Sequence, residues 1–373
     1  PMITPLKVCH IISGDLWAGA EVMAYHLLKG LREFPEIELS AILLNQEKLA
    51  DEITRLGIPC HLIDEKRRSF PRILLESRKI LKQNPVHILH SHRYKENILA
   101  YLMFKTIKGL CLVSTQHGMP EDCGIMAPIL SQMKMKLNYR LLSHTFHAMV
   151  AVSKDMKASI VQDCGFKEDK LTVIHNGVAL PRAGVSGKSS GKVVIGSAGR
   201  FFPVKDYPLM VEIAREVTRK STDVCFVLAG EGPGLHHLRQ LIQQYGLEQV
   251  FQLTGFVHDM NSFYRGLDVY LNTSLHEGIP MSVLEAMAHG LPAIAPRVGG
   301  FTEIISDGVD GFLVEGRNPL DFVDRCHTLV ADGARRAAMG AKAREKVECF
   351  FSHHAMAESY CELYKNLAGH SGI

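Results

Sequence analysis

No stretch of this chain approaches the ~20 consecutive apolar residues that a membrane-spanning helix needs. The apolar run at Lys7–Ser13 is too short for a secretory signal segment. Charge of either sign is not in excess: 42 basic against 39 acidic residues leave a net +3, which gives no footing for nucleic-acid binding. The nine cysteines include no C-x2-C pair. Their odd number, and the apolar neighbours of Cys9, Cys111 and Cys225, argue against a disulfide framework or a zinc site and for reduced, buried thiols. The dinucleotide fingerprint G-x-G-x-x-G is also missing, which argues against a nicotinamide-dependent oxidoreductase. What remains is 373 residues at 46% hydrophobic and 22% charged, ordinary for a soluble globular protein. That length exceeds what one core accommodates, so two domains are expected. A cytoplasmic protein is the expectation, with docking at the inner face of a membrane left open.

Short apolar runs alternate with amphipathic helical stretches throughout. In the first half, Leu6–Ser13, Ile37–Leu44, Ile58–Asp64, Val86–His92 and Cys111–His117 read as strands. Helical stretches lie between them at Ala20–Arg32, Leu49–Leu56, Ile73–Lys82 and Asn97–Lys105. Repeated βαβ units predict a doubly wound parallel sheet whose ligands sit beyond the carboxyl ends of the strands. The loops after Ser13, His92 and His117 then matter most. The Gly/Ser-rich segment Ala183–Lys192 has the composition of a flexible connection. It divides the chain into an N-terminal domain, 1–180, and a C-terminal domain, 181–352. Together with Asn176-Gly177 it is the expected hinge. The second half repeats the alternation from Val193 to Gly316, again a Rossmann-like pattern.

The most informative stretch is HEGIPMSVLEAMAHGLPAIAP, from His276 to Pro296. Pro280 suits the first position of a helix, because its missing N–H would lack a partner there anyway. Apolar residues Val283, Leu284, Met287 and Ala288 follow at helical spacing. Glu277 then lies before the helix and Glu285 inside it. Amides from Gly278, Ile279, Met281 and Ser282 would face an anion at the helix start. Two carboxylates beside a phosphate site can also grip sugar hydroxyls. Upstream, Arg200 and Lys205 share a loop directly after a strand, where two cations can clamp a diphosphate. The turn AGEGPG, with Gly230, Glu231 and Gly232, lets a ligand approach the backbone.

Glu277-x7-Glu285 followed by Ala-Met-Ala-x-Gly-x-Pro resembles the signature of the retaining, nucleotide-sugar-dependent "group 1" (family four) glycosyltransferases. The resemblance extends to the end of the chain. It implies the GT-B architecture: two facing Rossmann-like domains with a cleft between them. It also implies that the final helix, from His353 towards residue 373, returns to the first domain. On this resemblance Glu285 holds ribose hydroxyls, and Glu277 with the loop Gly278–Ser282, including Pro280, holds the sugar. Arg200 and Lys205 neutralise the leaving diphosphate. The turn at Gly230–Gly232 and the later Phe256 and Val257 surround the base. Gly19, in WAGAE, would approach the donor phosphate, although Ala18 stands where the family usually has a first glycine. Glu21 is read equally well as an acid in the first turn of a helix.

His117 resembles the family histidine beside the reacting bond. It is assigned to substrate positioning, and a general-base role is left open. His92, Arg93 and Asn97 are candidate acceptor contacts. His90 and His92, two apart, lack the further ligands a metal needs. No Asp-x-Asp is present, which fits a metal-free site in which cations and a helix dipole stand in for a divalent ion.

The expected activity is therefore transfer of a sugar from a nucleoside diphosphate sugar, with uridine the favoured base, to a carbohydrate or glycolipid acceptor. No cofactor or metal is expected. Cell-surface polysaccharide or glycoconjugate synthesis is the expected context. A nucleotide-sugar epimerase on the same fold, or a non-catalytic nucleotide-sugar-binding protein, is the alternative. The basic stretches Lys66–Arg72 and Met133–Arg140 are read either as membrane-facing segments or as solvated helix surface. Donor sugar, acceptor and oligomeric state are not legible.

Overall fold

A computed structural model describes residues 5–15, 17, 19–118, 129–164, 166–181 and 191–371. The chain forms two compact units, one made of residues 1–177 with 353–373 and the other of Val178–Ser352. The change therefore falls at Gly177/Val178, upstream of the sequence-based limit at 180. Most of the Gly/Ser-rich segment read as a hinge lies outside the described residues, as does Ala18.

In the first unit, β1 (Leu6–Ile12), β2 (Ile37–Leu43), β3 (Cys60–Leu62), β4 (Ile88–Ser91), β5 (Cys111–Gln116), β6 (Ala148–Ala151) and β7 (Leu171–Val173) form a parallel sheet. Their order is β3-β2-β1-β4-β5-β6-β7. β1, β4, β5 and β6 are nearly all buried, as strands covered on both faces must be. Helix Phe70–Gln83 begins three residues before the expected Ile73, because Pro71 fits its first turn. The last helix, His353–Ser371, lies against helix Gly19–Leu31. A Cβ on Gly30 would sit 2.5 Å from the His353 carbonyl oxygen, so only glycine permits this approach.

The second unit carries β8 (Val193–Ala198), β9 (Val224–Ala229), β10 (Phe251–Gly255), β11 (Val269–Leu271), β12 (Ala293–Pro296) and β13 (Gly311–Val314), all parallel. Their order, β10-β9-β8-β11-β12-β13, is doubly wound about β8 and β11. Helix Tyr207–Lys220 packs Leu209, Met210, Ile213, Ala214 and Val217 onto the sheet and ends on Arg219 and Lys220, the sign its dipole favours. Helices Pro319–Ala331 and Gly333–Phe350 are capped by Asn318 and Asp332, whose side chains accept from the amides of Leu320 and Arg335.

Candidate active site

In the second unit the expected donor residues gather where β8, β9, β10 and β11 end. The loops there hold one another through their backbones. Gly199 N–H donates to Ala229 O at 3.0 Å, Gly230 N–H to Gly255 O at 2.8 Å, and Phe201 N–H to Glu231 O at 2.8 Å. Gly230 and Gly232 adopt φ +135° and +152°, and their Cβ atoms would meet Gly199 O at 1.9 Å and Phe201 N at 2.7 Å. Both glycines are thus required for this junction to close. Glu231 and Phe256 are exposed beside it, and Val257 is half-buried. Phe256 meets His258 edge-on at 4.9 Å.

Lys205 ends a short 3₁₀ turn, Pro203–Lys205, that hands over to helix Tyr207–Lys220 through Asp206 at φ +44°. Asp206 is the one described non-glycine residue at positive φ. The corner is held by Arg317, whose guanidinium donates to Asp206, to Thr273 O at 2.6 Å and to Ser274 O at 3.1 Å. Lys205 Nζ pairs with Glu277 Oε1, which also accepts from Ser274 Oγ at 2.8 Å. Both bonds fall on one carboxylate oxygen, so among the described residues Oε2 is the one left for a ligand hydroxyl. Arg200 lies over the Phe202 ring at 4.8 Å.

Helix Met281–Ala288 starts one residue later than expected. Pro280 is extended, at ψ 113°, and its carbonyl accepts from Val283 and Leu284 at 3.2 Å. It therefore precedes the helix rather than opening it. Ile279 and Met281 are buried, so only their backbones can reach a ligand, and Gly278 is buried with them. The loop 277–280 rests on Gly299-Gly300, where Gly300 N–H donates to Glu277 O at 3.1 Å. A Cβ on Gly300 would stand 1.5 Å from Gly278 O. Glu285 accepts from Tyr264 Oη at 2.7 Å. Burial pushes its carboxyl up to about 7, against the pull of the Tyr264 hydroxyl.

The first unit places its polar residues at the ends of β1, β4 and β5. Sheet parity explains the grouping. His10 is the register partner of His90, and His90 of Val113, so His10, His90, His92, Thr115 and His117 share one face. His92 hydrogen-bonds to His10 and His117 at 3.0 Å each, and it is 2% exposed. Asn97 Oδ1 accepts from Ser91 Oγ at 2.6 Å and Ser114 Oγ at 2.8 Å, and it is 1% exposed. Both ring nitrogens of His92 and the Oδ1 of Asn97 are thus bonded within the unit, where the sequence reading has both residues facing an acceptor. Arg93 is half-buried and spans Asp15, at 2.9 Å, and Glu21. Glu21 is fully buried in the first turn of its helix, and that turn opens at the exposed Gly19. The loop after β1 is pinned by Ser13 N–H donating to buried Glu96 at 2.7 Å.

Lys66, Arg67, Arg68 and Arg72 each pair with a nearby carboxylate. That favours the solvated reading of this stretch; the start of the second basic stretch, residues 133–135, lies outside the described side chains. No described helix is long and apolar enough to cross a membrane. Sequence reasoning missed Ser274, Asp206, Arg317, Tyr264 and Gly299-Gly300. Only the Gly-Gly pair after β12 carried a local signal.

Two parallel doubly wound domains, with cations and carboxylates at the strand ends of the second, define a glycosyltransferase of the GT-B architecture. The family models "Glycosyl transferases group 1" and "Glycosyltransferase Family 4" match residues 183–346 and 17–182. The chain belongs to this family. It is 25% identical, over 96% of both chains, to an Escherichia coli protein named UDP-Gal:alpha-D-GlcNAc-diphosphoundecaprenol alpha-1,3-galactosyltransferase. A Staphylococcus aureus poly(ribitol-phosphate) alpha-N-acetylglucosaminyltransferase is 28% identical over 46% of this chain and 35% of its own. Among solved structures, Anabaena HepE in complex with UDP and glucose superposes with a TM-score of 0.82 at 19% identity, covering 96% of this chain and 99% of that one.

Proposed function

We propose that the protein is a retaining, metal-independent glycosyltransferase that moves a sugar from a nucleoside diphosphate sugar, with UDP the favoured carrier, to a carbohydrate or lipid-linked acceptor in glycoconjugate synthesis. The observation that carries this reading is the Lys205–Glu277 pair set beside the start of helix Met281–Ala288. Breaking the bond between the sugar C1 and the phosphate oxygen leaves negative charge on the diphosphate. Lys205, Arg200 and the helix start meet that charge, and such fixed donors act most strongly where charge develops. Glu277 Oε2 accepts from a sugar hydroxyl, and ionised Glu285 accepts from the ribose. The acceptor oxygen attacks C1 on the face the phosphate leaves, and its proton passes to the departing phosphate oxygen. No side chain need act as a base in that scheme. The names of the Escherichia coli and Staphylococcus aureus relatives support an undecaprenyl-linked or polymeric acceptor.

The test is turnover of a UDP-sugar panel with undecaprenyl diphosphate sugars, with and without EDTA, reading the anomeric configuration by NMR. An α-product from an α-donor, unaffected by EDTA and lost in Lys205→Ala, is expected. An inverted product or an EDTA-sensitive reaction sinks the corresponding part of the proposal. Conversion of the donor to an isomer without any acceptor would instead favour the epimerase.

A further inference from the structure

We infer that a buried hydrogen-bond chain, running from Tyr360 through Thr115, His90, Tyr364, His10 and His92, fixes His117 as the tautomer with its proton on Nδ1. This histidine then serves as a hydrogen-bond donor and not as a base. The tautomer assignment stands on the first unit alone, and only its use in sugar transfer rests on the function proposed above.

The links are continuous. Tyr360 Oη meets Thr115 Oγ1 at 2.8 Å, and Thr115 Oγ1 meets His90 Nε2 at 2.8 Å. His90 Nδ1 meets Tyr364 Oη at 2.6 Å, and Tyr364 Oη meets His10 Nε2 at 3.4 Å. His10 Nδ1 meets His92 Nε2, and His92 Nδ1 meets His117 Nε2, both at 3.0 Å. Tyr360 and Tyr364 stand one turn apart on the last helix, so that helix supplies two of the links.

A metal is the rival reading, because ligand atoms of His10, His90 and His92 lie within 4.8 Å of one another. The ring geometry argues against it. His10 and His92 are tilted by 26° with centroids 5.3 Å apart, and His92 and His117 by 19° at 5.2 Å. With nitrogens 3.0 Å apart, those separations place the rings end-on. Each lone pair then points along the next N–H rather than converging with the others on one ion.

A neutral imidazole has one donor nitrogen and one acceptor nitrogen, and Thr115 and Tyr364, each set between two chain partners, satisfy their single hydroxyl proton only by donating to one and accepting from the other, so choosing the sense of one bond fixes all the others. The rings are neutral: burial holds His10 and His117 down to about 3, and His90 and His92 well below their ordinary value. Two senses are possible. If Tyr360 donates to Thr115, every group along the chain donates onward, and His117 ends with an Nδ1–H. In the opposite sense Tyr360 accepts, and its own hydroxyl proton needs another acceptor. Tyr360 is fully buried, and among the described residues Thr115 is its one hydrogen-bond partner. That proton would be lost to hydrogen bonding whatever ligand is bound, at a cost of roughly 1–3 kcal/mol. In the first sense the unmatched group is His117 Nδ1, which has no partner among the described residues. A hydroxyl or phosphate oxygen of a substrate satisfies it. The liganded protein then has no orphan in the first sense and one in the second.

The test is a long-range ¹H–¹⁵N correlation on the full chain labelled with ¹⁵N-histidine, with His117 assigned by its loss in His117→Gln. Expected is a neutral His117 protonated on Nδ1, with His10, His90 and His92 in the same form, the reverse of what free imidazole side chains favour. An Nε2–H form at His117, an average of both forms, or zinc held by His10 and His92 would overturn the inference. Tyr364→Phe cuts the chain at its middle. A shift of His117 toward mixed tautomers is expected, with kcat lowered several-fold and the donor KM little changed. A folded variant with an unaltered His117 signal would overturn the communication. Should that variant fail to fold, Thr115→Val interrupts the same chain and is read the same way. The Nδ1–H form without any turnover would remove the proposed function and leave the tautomer assignment standing.

Discussion

Among single residues, Glu285 carries the sharpest pH signature. Its carboxyl is pushed up to about 7 in the folded protein, whereas an unfolded Glu titrates near ~4.3. Between those values the native state holds a proton that the unfolded chain has released. The stability this group contributes is fully present below pH ~4 and is lost as pH rises through about 7, a change on the order of 3–4 kcal/mol. Glu285→Gln should abolish that slope in urea melts compared at pH 5 and pH 8. Under the proposed function ribose hydroxyls donate to the ionised form, so UDP affinity should rise across pH 6–8 in the wild type and stay level in Glu285→Gln. A wild-type affinity independent of pH would remove Glu285 from the ribose. Lys205 belongs to the same scale: Lys205→Ala should lower kcat about 10²–10³-fold, the usual effect of losing one donor to developing charge. Single-turnover measurements distinguish that loss from weaker binding.

At the scale of elements, the candidate site of the second unit is a set of strand-end loops clamped by backbone and by Arg317. Gly300 has φ −67°, a conformation any residue adopts. Its constraint is space alone, because the Cβ position is filled by the Gly278 carbonyl. Gly300→Ala should therefore leave the fold intact and displace the loop that carries Glu277, weakening UDP binding by about tenfold, or ~1.4 kcal/mol. Calorimetric titration checks this, and wild-type affinity would show that the loop yields at no cost. Arg317→Ala should free the Lys205–Asp206 corner, with a drop in kcat larger than the change in melting temperature suggests.

These elements also show what a sequence discloses. Period and turn chemistry made the alternation readable, and Glu277, Glu285, Arg200 and Lys205 stood out because they occupy strand-end loops or a helix start. Arg317 and Tyr264 act across the fold, through partners 111 and 21 positions away in the chain, and Ser274, though three residues before Glu277, belongs to no turn or cap pattern that marks it. The internal bonds of His92 and of the Asn97 carbonyl oxygen were hidden for a related reason. The sequence places both residues near a strand end but does not show that neighbouring strands already supply their partners.

For the whole molecule, the chain's path makes the first unit depend on its last segment. That unit is built from two stretches of sequence, whereas Val178–Ser352 is continuous. Helix His353–Ser371 buries Met356, Ala357, Tyr360, Cys361 and Tyr364, and it fits only because Gly30 lacks a side chain. Removing a buried aromatic side chain costs about 3–5 kcal/mol, and two of them together rival the whole stability of an ordinary domain, about 5–15 kcal/mol. A chain ending at Ser352 should lose the unfolding transition of the first unit and keep that of the second. Under the proposed function the surviving transition should still move upward with UDP, since ligand bound to the native state alone adds about 2.7 kcal/mol at 100 times its dissociation constant. Gly30→Leu should act in the same direction by driving the helix away, and it distinguishes loss of packing from loss of the segment itself. Scanning calorimetry on both variants reads the outcome. If the first unit melts unchanged without residues 353–371, the last helix is an accessory. If both transitions vanish together, the two units fold as one cooperative body, and the second unit depends on the first for its stability.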